Sequence, residues 1–125
     1  MALRERLRRV LASTDELAAG DEIVEAAVHG TDRVSRCRAR ERSRLSGVLR
    51  SVTYSPTTDS TPTLRAELYD GSGSIELIWL GRRDVPGIAP GRRLVVTGRV
   101  SSDDGGRTLT MYNPAYTLLS RPGAA

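Results

Sequence analysis

Two arginine pairs flank one stretch of the sequence that is rich in glycine and proline. Arg82 and Arg83 precede the stretch DVPGIAPG, and Arg92 and Arg93 follow it. A planar guanidinium group donates paired hydrogen bonds that match the oxygens of a phosphate. The two pairs therefore predict a phosphate clamp at one end of the fold. The alternative is that nearby carboxylates neutralise them: Asp84, Asp103 and Asp104.

A second combination of residues lies on one predicted strand, TLRAELYD, residues 63–70. Arg65, Glu67 and Tyr69 share one face of this strand, because side chains alternate along it. A cation and a flat ring on one surface can hold a phosphate and stack on a base. Glu67 would repel phosphate unless an arginine pairs with it. The alternative is an ordinary solvated face.

An arginine also stands at every second position of RCRARERSR, residues 36–44. Arg42 and Arg44 are predicted to open the first strand and to flank its groove. Arg36, Arg38 and Arg40 are predicted to form a flexible basic arm, ordered only if a partner or the N-terminal helices hold it, since no apolar alternation accompanies them. The candidate nucleic-acid-binding residues are Arg42, Arg44, Arg65, Tyr69, Arg82, Arg83, Arg92, Arg93, Arg107 and Tyr112.

Catalytic and metal-binding residues are sparse. His29 is the one histidine and stands near the end of a predicted helix, where its charge suits the helix dipole. Cys37 is the one cysteine, which excludes an internal disulfide, and its arginine neighbours could lower the thiol pKa. No nucleophile, base and orienting group come together. We therefore expect no catalytic residue, no metal and no cofactor, and a protein that is not an enzyme.

The charge of the chain permits a polyanionic partner. All 19 basic residues are arginine, the net charge is +4 and the isoelectric point is about 10.0. At 125 residues the chain has the size of one domain. No apolar run approaches the roughly 18 residues that a membrane helix needs. We expect a cytoplasmic protein without a membrane partner.

Hydrophobic periodicity divides the chain into three parts. Residues 1–41 are predicted to form a helical extension and the basic arm, with helices over 3–11 and from a capping box at Ser13 and Glu16 to Gly30. From residue 42 the period is two. Predicted strands cover residues 44–54, 63–70, 74–81, 93–100 and 107–113, and residues 115–120 extend or cap the sheet. Residues 120–125 are predicted to be a loose tail.

The strand pattern predicts a small closed sheet. Turn sequences DGSG and SDDGG join strands as hairpins, and a long loop lies between the third and fourth strands. Closing the sheet would remove the exposed edges of a five-strand meander. The predicted fold is mainly β, a five-stranded OB-fold barrel over residues 42–119 with an N-terminal α-helical extension. Trp79 is expected to be a core anchor, because that register leaves Glu76 outside. Shifting the register by one residue would make Trp79 a stacking platform.

The segment LRAELYDGSGSIELIWL, residues 64–80, resembles the second and third strands of OB-fold nucleic-acid-binding domains. Such domains include the anticodon-binding domain of some tRNA synthetases and the wedge domain of branched-DNA helicases. The segments PGRRLVVTGRV and YNPAYTLL are similar to their fourth strand and closing segment. Residues 77–100 resemble a family of small actinobacterial proteins that carry an OB-fold nucleic-acid-binding domain. The resemblance covers residues 42–119.

This combination predicts a binding protein for nucleic acid. The expected ligand is single-stranded or branched DNA, or RNA, held weakly and without strong sequence preference. Only four tyrosines and one tryptophan can stack, so most of the binding energy should be electrostatic and fall steeply with salt. The alternative is a protein-interaction module, an accessory subunit whose N-terminal helices dock onto a larger enzyme through Leu3, Leu7, Val10 and Leu11.

Overall fold

The computed structural model describes residues 29–55, 61–82 and 85–119, together with Leu17 and residues 19–21. Leu17 and residues 19–21 are in helical conformation. The remainder of the predicted N-terminal helices lies outside the described residues. The six strands are β1 (Arg42–Ser55), β2 (Thr63–Tyr69), β3 (Ser74–Leu80), β4 (Arg93–Asp103), β5 (Thr108–Tyr112) and β6 (Ala115–Leu118). Single 3-10 turns cover Val34–Arg36 and Asp104–Gly106.

The strands form one six-stranded sheet, in the order β1-β2-β3-β5-β4-β6. β1 also pairs with β4, so five strands form a ring, and β6 lies beside β4 next to β5. All neighbours are antiparallel except β3 and β5, which are parallel. The predictions of a mainly β fold and of the five strands are confirmed. The segment that was expected to extend or cap the sheet forms β6.

Alternating apolar residues of the strands fill the interior of the ring. Trp79, which is fully buried, lies among them, so the prediction of a core position is confirmed. Its Nε1–H donates to the Pro114 carbonyl at 3.1 Å, and its ring meets that of Tyr116 edge to face at 5.6 Å between centroids. Glu76 lies on the opposite side of β3, as the inward register requires. The strand residues of this core are Leu45, Leu49, Ala66, Leu68, Ile75, Leu77, Trp79, Leu94, Val96, Val100 and Met111.

β1 is the long strand of the ring, because residues 42–48 pair with β4 and residues 48–55 pair with β2. Gly47 lies where the two pairings meet, and a Cβ there would collide with the carbonyl oxygen of Tyr69 and lie 2.9 Å from its carbonyl carbon. Only glycine therefore allows β1 and β2 to approach this closely. The shift in pairing register falls between Leu49 and Ser51, just beyond Gly47 along β1.

The segment before β1 packs against the ring rather than extending from it as a flexible arm. Val34 is buried in the core, and its backbone N–H donates to Asp70 Oδ2 at 2.8 Å. The backbone N–H of Asp32 donates to the Arg44 carbonyl at 2.8 Å, and that of Arg40 to the Val100 carbonyl at 2.7 Å. The expectation of a flexible arm at Arg36, Arg38 and Arg40 is therefore wrong. Backbone hydrogen bonds, which are independent of apolar alternation, hold this segment.

Candidate functional site

A groove of about 650 Å³ runs across strands β1, β2, β3 and β5, and its lining includes the core residues Val34, Ala66 and Ile75. We call it groove 1. The turn at Val34–Arg36 borders it at one side, and the β4–β5 hairpin borders it at the other. Its charged lining residues are Arg65, Glu67, Glu76 and Arg107. Two of the ten predicted site residues, Arg65 and Arg107, therefore lie on one surface.

Sheet pairing aligns a row of four residues across this surface. Arg65 lies opposite Thr53 of β1 and opposite Ile78 of β3, and Ile78 lies opposite Tyr112 of β5. Tyr112 is 46% exposed, whereas Ile78 is buried outside the main core. Tyr112 is thus an accessible aromatic ring two strands from Arg65. Tyr112 is not among the described residues that line groove 1, but an exposed tyrosine ring is a surface on which a base can stack.

The charges of groove 1 are balanced. Arg65 Nη1 forms a salt bridge with Glu76 Oε1 at 2.8 Å, and about half of the arginine side chain is exposed. Glu67 lies directly opposite Glu76 on the neighbouring strand. Arg65 therefore pairs with Glu76 rather than with Glu67, the partner considered from the sequence. A phosphate in this groove would have to compete with a carboxylate for the guanidinium group of Arg65.

Tyr69 is covered by an arginine that the sequence analysis missed. The guanidinium carbon of Arg50 lies 3.4 Å from the centroid of the Tyr69 ring, a cation–π contact. Arg50 lies within the register shift of β1, between Leu49 and Ser51, and has no partner in the pairing with β2. One face of the Tyr69 ring is therefore occupied. Tyr69 is not among the described residues that line groove 1.

Arg42 and Arg44 lie on β1 away from groove 1. Arg44 Nη1 donates to the His29 carbonyl at 3.1 Å, which ties it to the preceding segment. Arg42 is exposed and lies directly opposite Arg99 of β4. Both predicted residues therefore lie in the part of β1 that pairs with β4, not in the part that pairs with β2.

The structure describes three of the four arginines of the predicted phosphate clamp. Arg82 is exposed just beyond the end of β3, and Arg83 lies outside the described residues, as does Asp84. Arg92 Nε is buried without a hydrogen-bond partner in the described part of the chain. Arg93 lies opposite Val48, the residue that also pairs with Tyr69. Arg82, Arg92 and Arg93 do not line groove 1. The side chains of the two other carboxylates considered, Asp103 and Asp104, lie outside the described part.

A second groove, of about 520 Å³, lies on the other side of the β4–β5 hairpin. We call it groove 2. Its described lining residues are Ala39, Arg40, Arg99, Val100, Ser101, Ser102, Gly105 and Gly106. Gly106 also lines groove 1, so the hairpin separates two adjoining surfaces.

The groups that could support catalysis do not form a site in the described structure. Burial raises the pKa of the Cys37 thiol above its ordinary value, and the negative charges of Asp32 and Asp70 act in the same direction, against a hydrogen bond to Ser43. The arginine neighbours therefore do not lower this pKa, contrary to the expectation from sequence. The described residues contain no group of three or more His, Cys, Asp or Glu side chains placed to hold a metal. No helix in the described ranges is long and apolar enough to cross a membrane.

Comparison with known proteins gives no family assignment, since no protein-family model and no curated protein matches this chain.

Proposed function

We propose that the chain is an OB-fold barrel that binds single-stranded nucleic acid, DNA or RNA, across groove 1. The strand order supports the fold, because an OB-fold is a five-stranded barrel in which β1 closes against β4. In OB-folds the face of the second and third strands binds oligonucleotides, together with the loops that follow the first and fourth strands. Groove 1 includes this face and the β4–β5 hairpin.

The observation that carries the proposal is the placement of Arg65, Arg107 and Tyr112. The two arginines line one groove, and Tyr112 lies on the pairing row of Arg65 with nearly half of its surface exposed. Two cations can contact successive phosphates while the ring stacks on a base. Because Glu67 and Glu76 lie in the same groove, we expect weak binding that falls steeply with salt.

Fluorescence anisotropy with labelled oligo-dT and oligo-U tests the proposal at about 50 mM and about 200 mM salt. R65Q and R107Q should each weaken binding about three- to tenfold, because an exposed charge contact contributes about 1 kcal/mol. E76Q should strengthen binding, since it releases Arg65 and removes a negative charge from the groove. R82Q is the matched control, because it removes the same charge from an exposed arginine outside groove 1.

R65Q removes a positive charge from groove 1 and E76Q removes a negative one. The two variants should therefore change the affinity for nucleic acid in opposite directions, and comparing them is a sharper test than either variant alone. A general charge effect would make R82Q as harmful as R65Q and would contradict the assignment of groove 1. Absence of binding by the unmodified protein at the lower salt would end the proposal for both DNA and RNA.

A second candidate function, a protein-interaction module, is favoured by the apolar end of the same face. Leu80 and Tyr112 are 42% and 46% exposed, and the groove beside them carries as many described carboxylates as arginines. A protein surface fits such a mixture better than a polyanion does. Deleting residues 1–28 separates the two functions. Loss of a protein partner with nucleic-acid affinity unchanged would support a docking role for the N-terminal segment.

A further inference from the structure

Groove 2 differs from groove 1 in the charge of its described lining. Both charged residues among its described lining are arginines, Arg40 and Arg99, whereas groove 1 is balanced. The hydroxyl-bearing residues Ser101 and Ser102 line it, and so does the backbone of Gly105. Guanidinium groups, hydroxyls and backbone N–H groups are the donors that proteins use for phosphate.

A third arginine stands beside this groove without a described acidic partner. Arg42 of β1 lies directly opposite Arg99 of β4, and both side chains are exposed. Like charges directly opposite on neighbouring strands destabilise a sheet. Among the side chains that the structure describes, which do not include those of Asp103 and Asp104, no carboxylate forms a salt bridge with Arg40, Arg42 or Arg99. A bound anion would relieve the repulsion between Arg42 and Arg99.

The backbone holds Arg99 and Arg40 in fixed positions. Arg99 Nε donates to the carbonyl of Arg40 at 3.0 Å, a bond that uses one of the five N–H donors of the guanidinium group. Arg40 has a φ of 74°, a left-handed conformation that an arginine rarely adopts. Its N–H donates to the Val100 carbonyl at 2.7 Å, and the Val100 N–H donates to the Glu41 carbonyl at 2.9 Å. Uncommon backbone conformations held in this way are found more often at binding sites.

We propose that groove 2 is an anion site that binds a phosphate group through Arg40 and Arg99, with hydrogen bonds from Ser101, Ser102 and the hairpin backbone. The next step rests on the function proposed above. If that function holds, the phosphate is a backbone phosphodiester of the strand bound in groove 1. Because Gly106 lines both grooves, that strand would cross the β4–β5 hairpin there.

The first experiment probes the site without nucleic acid. Inorganic phosphate is titrated at constant ionic strength, with chloride as the matched salt, while amide shifts are followed by NMR. Phosphate should shift the amides of Arg40, Ser101, Ser102 and Gly105 in a saturable way, and R99Q should abolish the response. R82Q should leave it intact. Equal shifts with chloride, or shifts that survive in R99Q, would overturn the site.

The second experiment tests the path of the strand with oligonucleotides of about 5 and about 15 nucleotides, the range that one OB-fold covers. R99Q should weaken binding of the longer strand about three- to tenfold. It should also reduce the slope of log affinity against log salt by about 0.7, the value for one phosphate contact of a single strand. Binding of the shorter strand should change little.

The outcomes distinguish the two proposals. If phosphate shifts the groove 2 amides but no oligonucleotide binds, groove 2 remains an anion site and the proposed function fails. If oligonucleotides bind through Arg65 while R99Q changes neither their affinity nor the phosphate response, the proposed function remains and groove 2 is rejected.

Discussion

The side chain of Asp70 binds the backbone of Val34 across 36 positions of sequence, with a distance of 2.8 Å between Oδ2 and the amide nitrogen. The other carboxylate oxygen accepts hydrogen bonds from the backbone N–H groups of Ser72 and Gly73 and from the Ser72 hydroxyl. Asp70 is almost fully buried. One carboxylate therefore orders the β2–β3 turn and fixes the segment that covers one end of the core.

Replacing Asp70 by asparagine should lower the free energy of unfolding by about 3 kcal/mol, because an NH₂ group would then face N–H donors that remain buried. Urea denaturation measures this change. Ser72→Ala is the control and should cost about 1 kcal/mol, since it removes one hydroxyl bond and leaves the carboxylate in place. Equal losses in the two variants would show that the contact with Val34 adds nothing to stability.

Gly47→Ala should also destabilise the fold, by about 3 kcal/mol, because the new methyl group would collide with the backbone of Tyr69. The matched change is Gly20→Ala, at a helical position with nothing within 4 Å of the added carbon. That variant should be neutral or slightly stabilising. Thermal unfolding of both variants checks the contrast. Similar melting temperatures for the two would contradict the close approach of β1 and β2.

The thiol of Cys37 should react slowly with iodoacetamide at neutral pH, since its raised pKa leaves little thiolate. The alkylation rate of the folded protein should rise at a higher pH than the rate of the same chain unfolded in urea. Because the pKa is raised in the folded state, the thiol of the unfolded chain loses its proton at a lower pH. The free energy of unfolding should therefore fall as pH rises above about 8.5. Cys37→Ser should lack this fall. Faster alkylation of the folded than of the unfolded protein at pH 7 would contradict the raised pKa.

Arg40→Gly separates the stability of the turn from its charge. Glycine adopts a positive φ without strain, and this gain opposes its greater freedom in the unfolded chain. The free energy of unfolding should therefore change by less than about 1 kcal/mol. Arg40→Gly should nevertheless weaken the NMR response of groove 2 to phosphate. A second variant, Arg40→Gln, should weaken it in the same way. A glycine variant that binds phosphate like the unmodified chain would exclude Arg40 from the site.

The strands were largely predictable because alternation and turn residues are local signals. The sequence TLRAELYD places Arg65 and Tyr69 on one face and Ala66 and Leu68 on the other, and both of the latter are buried. Turn sequences rich in glycine and aspartate mark two hairpins, the one between β2 and β3 and the one between β4 and β5. The inward position of Trp79 followed from the same alternation.

The distribution of the arginines was not predictable, because it depends on how strands pair. The parallel pairing of β3 with β5 brings Arg107 to the surface of Arg65, and no local pattern encodes it. Arg50, which lies over the Tyr69 ring, falls within the register shift in β1. Val34 is a single apolar residue among polar and charged neighbours, so periodicity gave no indication that it belongs to the core.

The closure of the ring has a consequence for the order of folding. β1, β2 and β3 pair in sequence, and β4 pairs with β5 and β6, so each set can form through contacts between neighbouring segments. The two sets join where residues 42–48 meet residues 93–99 and where β3 meets β5. Such distant contacts form slowly. We therefore expect the chain to fold as two units whose docking limits the rate, and to be reconstituted from two fragments divided within residues 85–91.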